Sequence, residues 1–248
     1  GKDAGLAIST GANNVAIGYE ALKTEDGDGN NVAVGYQALK SLNAGADGNN
    51  TAIGYATGNT ISTGTANTLM GAFAGDALTT GSNNIAIGYE ALSTEDANGK
   101  NLAIGYQALK TLNAGADGYY SAIGYQAGTS MNTGTVNTLI GHQAGDALTT
   151  GNNNIAIGHE ALGSEVQGDM NTAIGVGALQ NQANSSDADV INTAIGYNAG
   201  LSVTTGAENT MMGGEAGDAL TVGNANVAIG VQALSADTNG SRSVAIGA

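Results

Sequence analysis

The sequence predicts an all-β molecule, a single-stranded parallel β-solenoid of about 14 coils with 17 to 21 residues in each. Three observations predict it. First, the tripeptide A-I-G and its variants recur 14 times, with glycine at Gly18, Gly35, Gly54, Gly71, Gly88, Gly105, Gly124, Gly141, Gly158, Gly175, Gly196, Gly213, Gly230 and Gly247. The spacings are 17, 19 or 21 residues, within the range of solenoid repeats. Second, a longer period sits on top: Gly18, Gly88 and Gly158 are 70 apart, so four coils make one long repeat. Third, the apolar spacing within each copy is two, not 3.6, and glycine interrupts every coil, which excludes helices.

Taking that glycine as position zero, each column of the repeat has a physical role. Asparagine stands at −4 in twelve copies, among them Asn14, Asn31, Asn50, Asn67 and Asn84. Stacked amides can hydrogen-bond from coil to coil while capping a turn, so this column reads as a structural ladder. Positions −3 to −1 alternate as apolar, small, apolar, the pattern of a strand of about five residues that must stack on its neighbours to persist. Parity puts Ile17, Ile53 and Ile87 on one side and Ala16, Ala52 and Ala86 on the other. The expectation is that the isoleucines fill the roll. Leu69, Leu139 and Met211 replace the alanine in every fourth coil. After the glycine, Ala at +3 and Leu at +4 or +7 (Leu22, Leu39, Leu42, Leu78) suggest a second, weaker strand facing back across the coil. The remaining polar segments are turn-rich and absorb the length changes. Residues 1–248 thus form one repeat domain, read as a segment of a longer fibre, about 65–70 Å long at one strand spacing per coil.

Composition narrows the function. Six Lys plus Arg against 21 Asp plus Glu, a net charge of −15, argue against nucleic-acid binding, which needs cations to displace counterions. No apolar run of 18 residues is present, so this segment does not insert in a membrane as a helix. The absence of Cys removes disulfides, thiolate nucleophiles and cysteine-ligated zinc. Two histidines and no strained serine elbow leave no triad or dyad, so the chain is not read as an enzyme.

Several candidate sites are set against plainer readings. Glu25, Asp26, Asp28 and Asn30 have the oxygen-rich spacing of a calcium loop. The equivalent loop at Glu95 loses a carboxylate and gains Lys100, and the loop at Glu165 loses more. Solvated acidic turns that keep the molecule soluble are therefore favoured over a calcium site. Tyr19, Tyr36, Tyr55, Tyr89, Tyr106, Tyr125 and Tyr197 follow the glycine, with His142 and His159 substituting. They read as a ladder of stacked rings, and alternatively as an aromatic strip for sugars. Thr79-Thr80, Thr149-Thr150 and Thr204-Thr205 give a sparse lattice for an ice-binding solenoid.

Asn14-Val15-Ala16-Ile17-Gly18 and Ser243-Val244-Ala245-Ile246-Gly247 resemble the YadA-like head repeats of trimeric autotransporter adhesins, whose unit is N-S-V-A-I-G-x-x-[SA]. Asn192-Thr193-Ala194-Ile195-Gly196-Tyr197 is similar to repeats of phage tail fibres. The resemblance covers the whole chain and implies a left-handed β-roll, a homotrimer, and an adhesive or structural role at a cell or virion surface. It implies host, matrix or glycan partners and no cofactor, with end-to-end assembly into a filament as a further self-association. The coils are longer than the family's usual unit, and no stalk or neck motif is present. For the trimer, the expected interface is the Ala/Gly side of the strand: Ala16, Ala52, Leu69, Ala86, Leu139 and Met211. A phage tail-fibre or tailspike shaft and an ice-binding solenoid are the alternatives.

Overall fold

A computed structural model describes residues 1–248 except Asp28, Ala46, Ala116, Asp117, Asp187 and Ala188. The chain divides into two compact units, Gly1–Tyr120 and Ser121–Ala248. The first carries β1 (Val15–Ile17), β2 (Val32–Val34), β3 (Thr51–Ile53), β4 (Thr68–Met70), β5 (Ile85–Ile87) and β6 (Leu102–Ile104). The second carries β7 (Ser121–Ile123), β8 (Thr138–Ile140), β9 (Ile155–Ile157), β10 (Thr172–Ile174), β11 (Thr193–Ile195), β12 (Thr210–Met212), β13 (Val227–Ile229) and β14 (Val244–Ile246). In each unit every strand pairs in parallel with the next copy along the chain, and no helix occurs among the described residues. Each unit is thus a parallel β-solenoid.

Register holds through the length changes. Ala33 of β2 faces Ala52 of β3 across a 19-residue coil, and Ala173 of β10 faces Ala194 of β11 across a 21-residue coil. The glycine at position zero is required twice over. Gly35 has φ +143°, and a β-carbon there would stand 2.0 Å from the carbonyl oxygen of Gly54 in the next coil. Neither the backbone angle nor the stacking distance admits a side chain.

Two expectations about the coil are corrected. Each strand has three residues, not five. Among the described residues no second strand follows the glycine: the segment is a series of turns, because positions +2 and +4 both take positive φ, as in Glu20 (52°), Leu22 (51°), Gln37 (55°) and Leu39 (48°). A left-handed residue at every other position breaks an extended chain. The segment is still tied from coil to coil, with Leu22 N donating to Ala38 O at 3.0 Å and Gln37 N to Tyr19 O at 2.8 Å.

The polarity of the strand is also opposite to expectation. Ala52, Leu69, Ala86, Leu139 and Met211 lie inside the roll with essentially no exposure, and Ala16, in the first strand, is half-buried. Ile17 is 58% exposed, while Ile53 and Ile87 are half-exposed on the outer side. Volume explains the inversion. Buried Leu at +4 (Leu22, Leu39, Leu92) and apolar side chains at +7 (Leu42, Ile61, Leu78, Leu112) already fill a coil only one side chain deep. A methyl group is what remains for the strand. Where the strand does carry a large residue, glycine takes +4: Gly75 follows Leu69, Gly145 follows Leu139 and Gly217 follows Met211. A β-carbon at Gly75 would stand 3.0 Å from Leu69 Cδ2, and one at Gly145 2.8 Å from Leu139 Cδ2. These residues are core, and none of them can line an interface between chains.

The asparagines form the ladder that gives each coil its floor. Asn50 N donates to Asn31 Oδ1 (3.0 Å), Asn67 N to Asn50 Oδ1 (2.9 Å) and Asn84 N to Asn67 Oδ1 (2.9 Å). Side-chain amides of the column also donate to turn carbonyls 14 residues on, as in Asn50 Nδ2 to Gly64 O at 2.9 Å and Asn84 Nδ2 to Asn98 O at 3.0 Å. Asn31, Asn50, Asn67 and Asn84 are fully buried, and Asn14 begins the series by accepting from Asn31 N at 2.9 Å.

Candidate functional site

The inverted strand places chemistry outside. Positions −3, −1 and +1 share the outer side of each coil, giving columns of Val/Ile/Thr, of Ile/Val/Met and of Tyr/His. Val15, Ile85, Ile155 and Val244, with Met70 and Met212, are exposed members of the first two columns. In both units the outer strand face thus carries exposed apolar side chains, with Thr or Ser among them at −3.

The aromatic column borders it. Tyr19, Tyr36 and Tyr55 stack at 5.2 and 4.9 Å between ring centroids, with planes 13° and 5° apart. Phe73, from +2, wedges edge-on between Tyr55 and Tyr89 and restarts the stack, which continues to Tyr106. In the second unit Tyr125, His142 and His159 stack at 5.0 and 4.9 Å. These ring faces cover one another and present their edges to solvent. A sugar ring needs an open face to stack on, so the ladder offers phenol hydroxyls and ring edges instead.

Beyond the aromatics, position +2 carries Glu or Gln in most coils. Glu20 meets Lys23 at 2.6 Å and Lys40 at 3.0 Å, and accepts from Gln37 Nε2 at 2.8 Å. The Lys23 ammonium first, then Gln37 and Lys40, hold its carboxyl down at about 2. Glu90 meets Lys110 at 2.6 Å and Gln107 at 2.8 Å, and the Lys110 ammonium lowers its carboxyl as well. Glu160 accepts from Gln180 Nε2 and lies 3.8 Å from His159 Nδ1. Here a cleft of about 170 Å³ opens, lined by Gln143, Asp146, Glu160, Gly163, Ser164 and Gln180.

Of the four residues of the calcium reading, three lie among those described, and they differ in burial. Glu25 is turned into the roll and fully buried, Asp26 and Asn30 are exposed, and Asp28 lies outside the described residues. No group of three metal-ligating side chains occurs among the described residues. Glu25, Glu95 and Glu165 are not solvated turns: all three stand fully buried at +7, the column that other coils fill with Leu42, Ile61 or Leu78. Glu165 shows how a buried carboxylate is accommodated. Its Oε1 accepts from the amides of Val166, Gln167, Gly168 and Asn184, and its Oε2 from Gln182 Nε2 and Asn184 Nδ2. Gln182 and Asn184 belong to the following 21-residue coil, so the glutamate pegs a lengthened turn. The shared +7 column was the sequence signal for this, hidden by the acidic loop around it.

Three of the six threonines of the ice-binding reading have engaged hydroxyls. Thr79, Thr149 and Thr204 each donate their hydroxyl to a carbonyl of the next coil. Another threonine set does face outward at −3, where Thr172, Thr193 and Thr210 are register neighbours. Compared with known proteins, the chain matches no family model, no curated protein and no solved structure.

Proposed function

We propose that the chain is a segment of an adhesive or structural extracellular fibre, a left-handed β-roll that assembles as a homotrimer on a cell or virion surface. The observation that carries this reading is the bare strand face. An apolar column at −1 runs beside a −3 column in which Val, Ile and Leu are interspersed with Thr and Ser, and the apolar part of such a surface is stabilised by covering it. A second and third copy of the same chain present the identical column spacing, so outer isoleucines can interdigitate in register around an axis. The interface therefore moves from the alanine side of the strand to Val15, Ile17, Ile85, Ile155 and their equivalents. The adhesive role rests on the resemblance of the repeat to adhesin heads, and the tail-fibre shaft uses the same architecture. Light scattering should give three times the 24.2 kDa chain mass. The assembled protein should also retain on matrix-coated or glycan-coated surfaces. A monomeric mass removes the trimer, and failure on every such surface removes the adhesive role.

The outward threonines favour a second reading. Thr172, Thr193 and Thr210 alternate with Ile174, Ile195 and Met212 on one flat face, a regular lattice of methyls and hydroxyls suited to ice. Thermal hysteresis from a monomer would select it.

A further inference from the structure

We propose that the cleft between Gln143, Asp146, Glu160 and Gln180 is a binding site for an alkylammonium group of the kind a partner protein's lysine side chain presents. The argument comes from comparing three copies of one place in the long repeat. Glu20, Glu90 and Glu160 are equivalent, each 70 residues from the next. The first holds two ammonium groups, Lys23 and Lys40. The second holds one, Lys110. The third holds none, because Lys23 and Lys40 correspond to Gly163 and Gln180, and no lysine occurs after Lys110 in the sequence. At this third copy, which has no lysine, lies the cleft.

Two further side chains of the second copy are missing from the third. Gln107, which caps Glu90 in the second copy, corresponds to Gly177 in the third. Ser93 corresponds to Gly163, where even a β-carbon would stand 3.6 Å from Asp146 Oδ1. The carboxylate count is two in every copy: Asp3 and Glu20 in the first, Asp76 and Glu90 in the second, Asp146 and Glu160 in the third. The position of Leu6 in the first copy is Asp76 in the second and Asp146 in the third. The third copy therefore turns two carboxylates, Asp146 and Glu160, toward a space that its sisters fill with a lysine head. Gln143, Ser164 and Gln180 supply side-chain oxygens for the remaining ammonium hydrogens. His159 Nδ1 lies 3.8 Å from Glu160, and its ring stacks on His142. Burial, with Glu160 adding its charge, holds the Asp146 carboxyl above the ordinary aspartate range, the direction a cation would reverse. Over the whole second unit, ten acidic residues face the single cation Arg242, so a basic partner surface is complementary to it.

The test uses n-butylammonium chloride as the probe and the full chain labelled with ¹⁵N. The side-chain amide signals of Gln143 and Gln180 should shift saturably, with weak affinity in the millimolar range appropriate to one solvent-accessible ion pair. Butanol at the same concentration should leave them in place. Gln180→Lys puts back the ammonium that the sister copies carry, and should weaken binding at least tenfold while folding as they do. Asp146→Asn should weaken it as well. No saturable shift, or unchanged shifts in both variants, overturns the proposal. The readout is independent of the oligomeric state, so it stands or falls apart from the trimer.

Discussion

Tyr120 stands where twelve other coils place asparagine, and the ladder breaks there. Its ring is buried, its hydroxyl has no hydrogen-bond partner, and neither side-chain atom of Asn101 in the preceding coil has one. The break falls at the last residue of the first unit. An earlier coil has the same Asn-Ala-Gly-Ala-Asp-Gly loop with Asn50 in that place, fully bonded. Tyr120→Asn should therefore stabilise the protein by about 1–2 kcal/mol, seen as a raised midpoint in urea. A second residue is costly in the other direction. Burial, with Glu90 nearby, pushes the Asp76 carboxyl up to about 6, and its Oδ1 has no hydrogen-bond partner. A carboxyl whose folded value exceeds its unfolded 3.8 favours the protonated folded state. The penalty is absent below pH 4, grows up to about pH 6 and stays constant above. Asp76→Asn should raise the melting temperature at pH 7 and leave it unchanged at pH 4. Glu20 has the opposite sign: its stabilising ion pairs are present above pH 4.5 and lost as pH falls toward 2.

At the scale of the coil, two columns exchange volume. Leu69→Ala should cost about 2–5 kcal/mol by leaving a cavity. Gly75→Leu alone should also destabilise, since its side chain would enter the space of Leu69. Together they reproduce the Ala86 and Leu92 arrangement of the next coil, where leucine tolerates φ 52°. The double variant should thus be more stable than the two single costs sum to, a positive coupling measurable by chemical denaturation. The same exchange explains what was legible in advance. Period, register and parallel pairing follow from glycine spacing, and the asparagine column from its regularity. Strand polarity did not follow, because both sides of Val-Ala-Ile are apolar and only the competition with Leu22 and Leu42 for the interior decides between them. The second strand was misread because Leu at +4 looks extended in one dimension but takes a left-handed backbone. The cleft was not legible because its lining, Gln143 and Asp146, then Glu160, Gly163 and Ser164, then Gln180, comes together from three successive coils.

For the whole molecule, inside and outside now predict different failures. Leu139→Asp buries an unpaired charge in the core, and should abolish the β spectrum in circular dichroism. Ile155→Lys lies on the outer strand face, 39% exposed in the single chain. It should keep the β spectrum while reducing the mass measured by light scattering. Loss of folding in both variants, or of mass in neither, would refute the division of the strand into core and contact sides.

The constancy of register across coils of unequal length has one more consequence. Because Thr172 still faces Thr193 after four extra residues, what happens in a turn is not communicated to the strands. Copying a block of four coils therefore lengthens the scaffold without obliging the new block to keep the old surface. The sequence of Glu20, Glu90 and Glu160, with two, one and no lysines, is a record of such freedom. Selection can retune one address at a time while the strand register of its coil is kept.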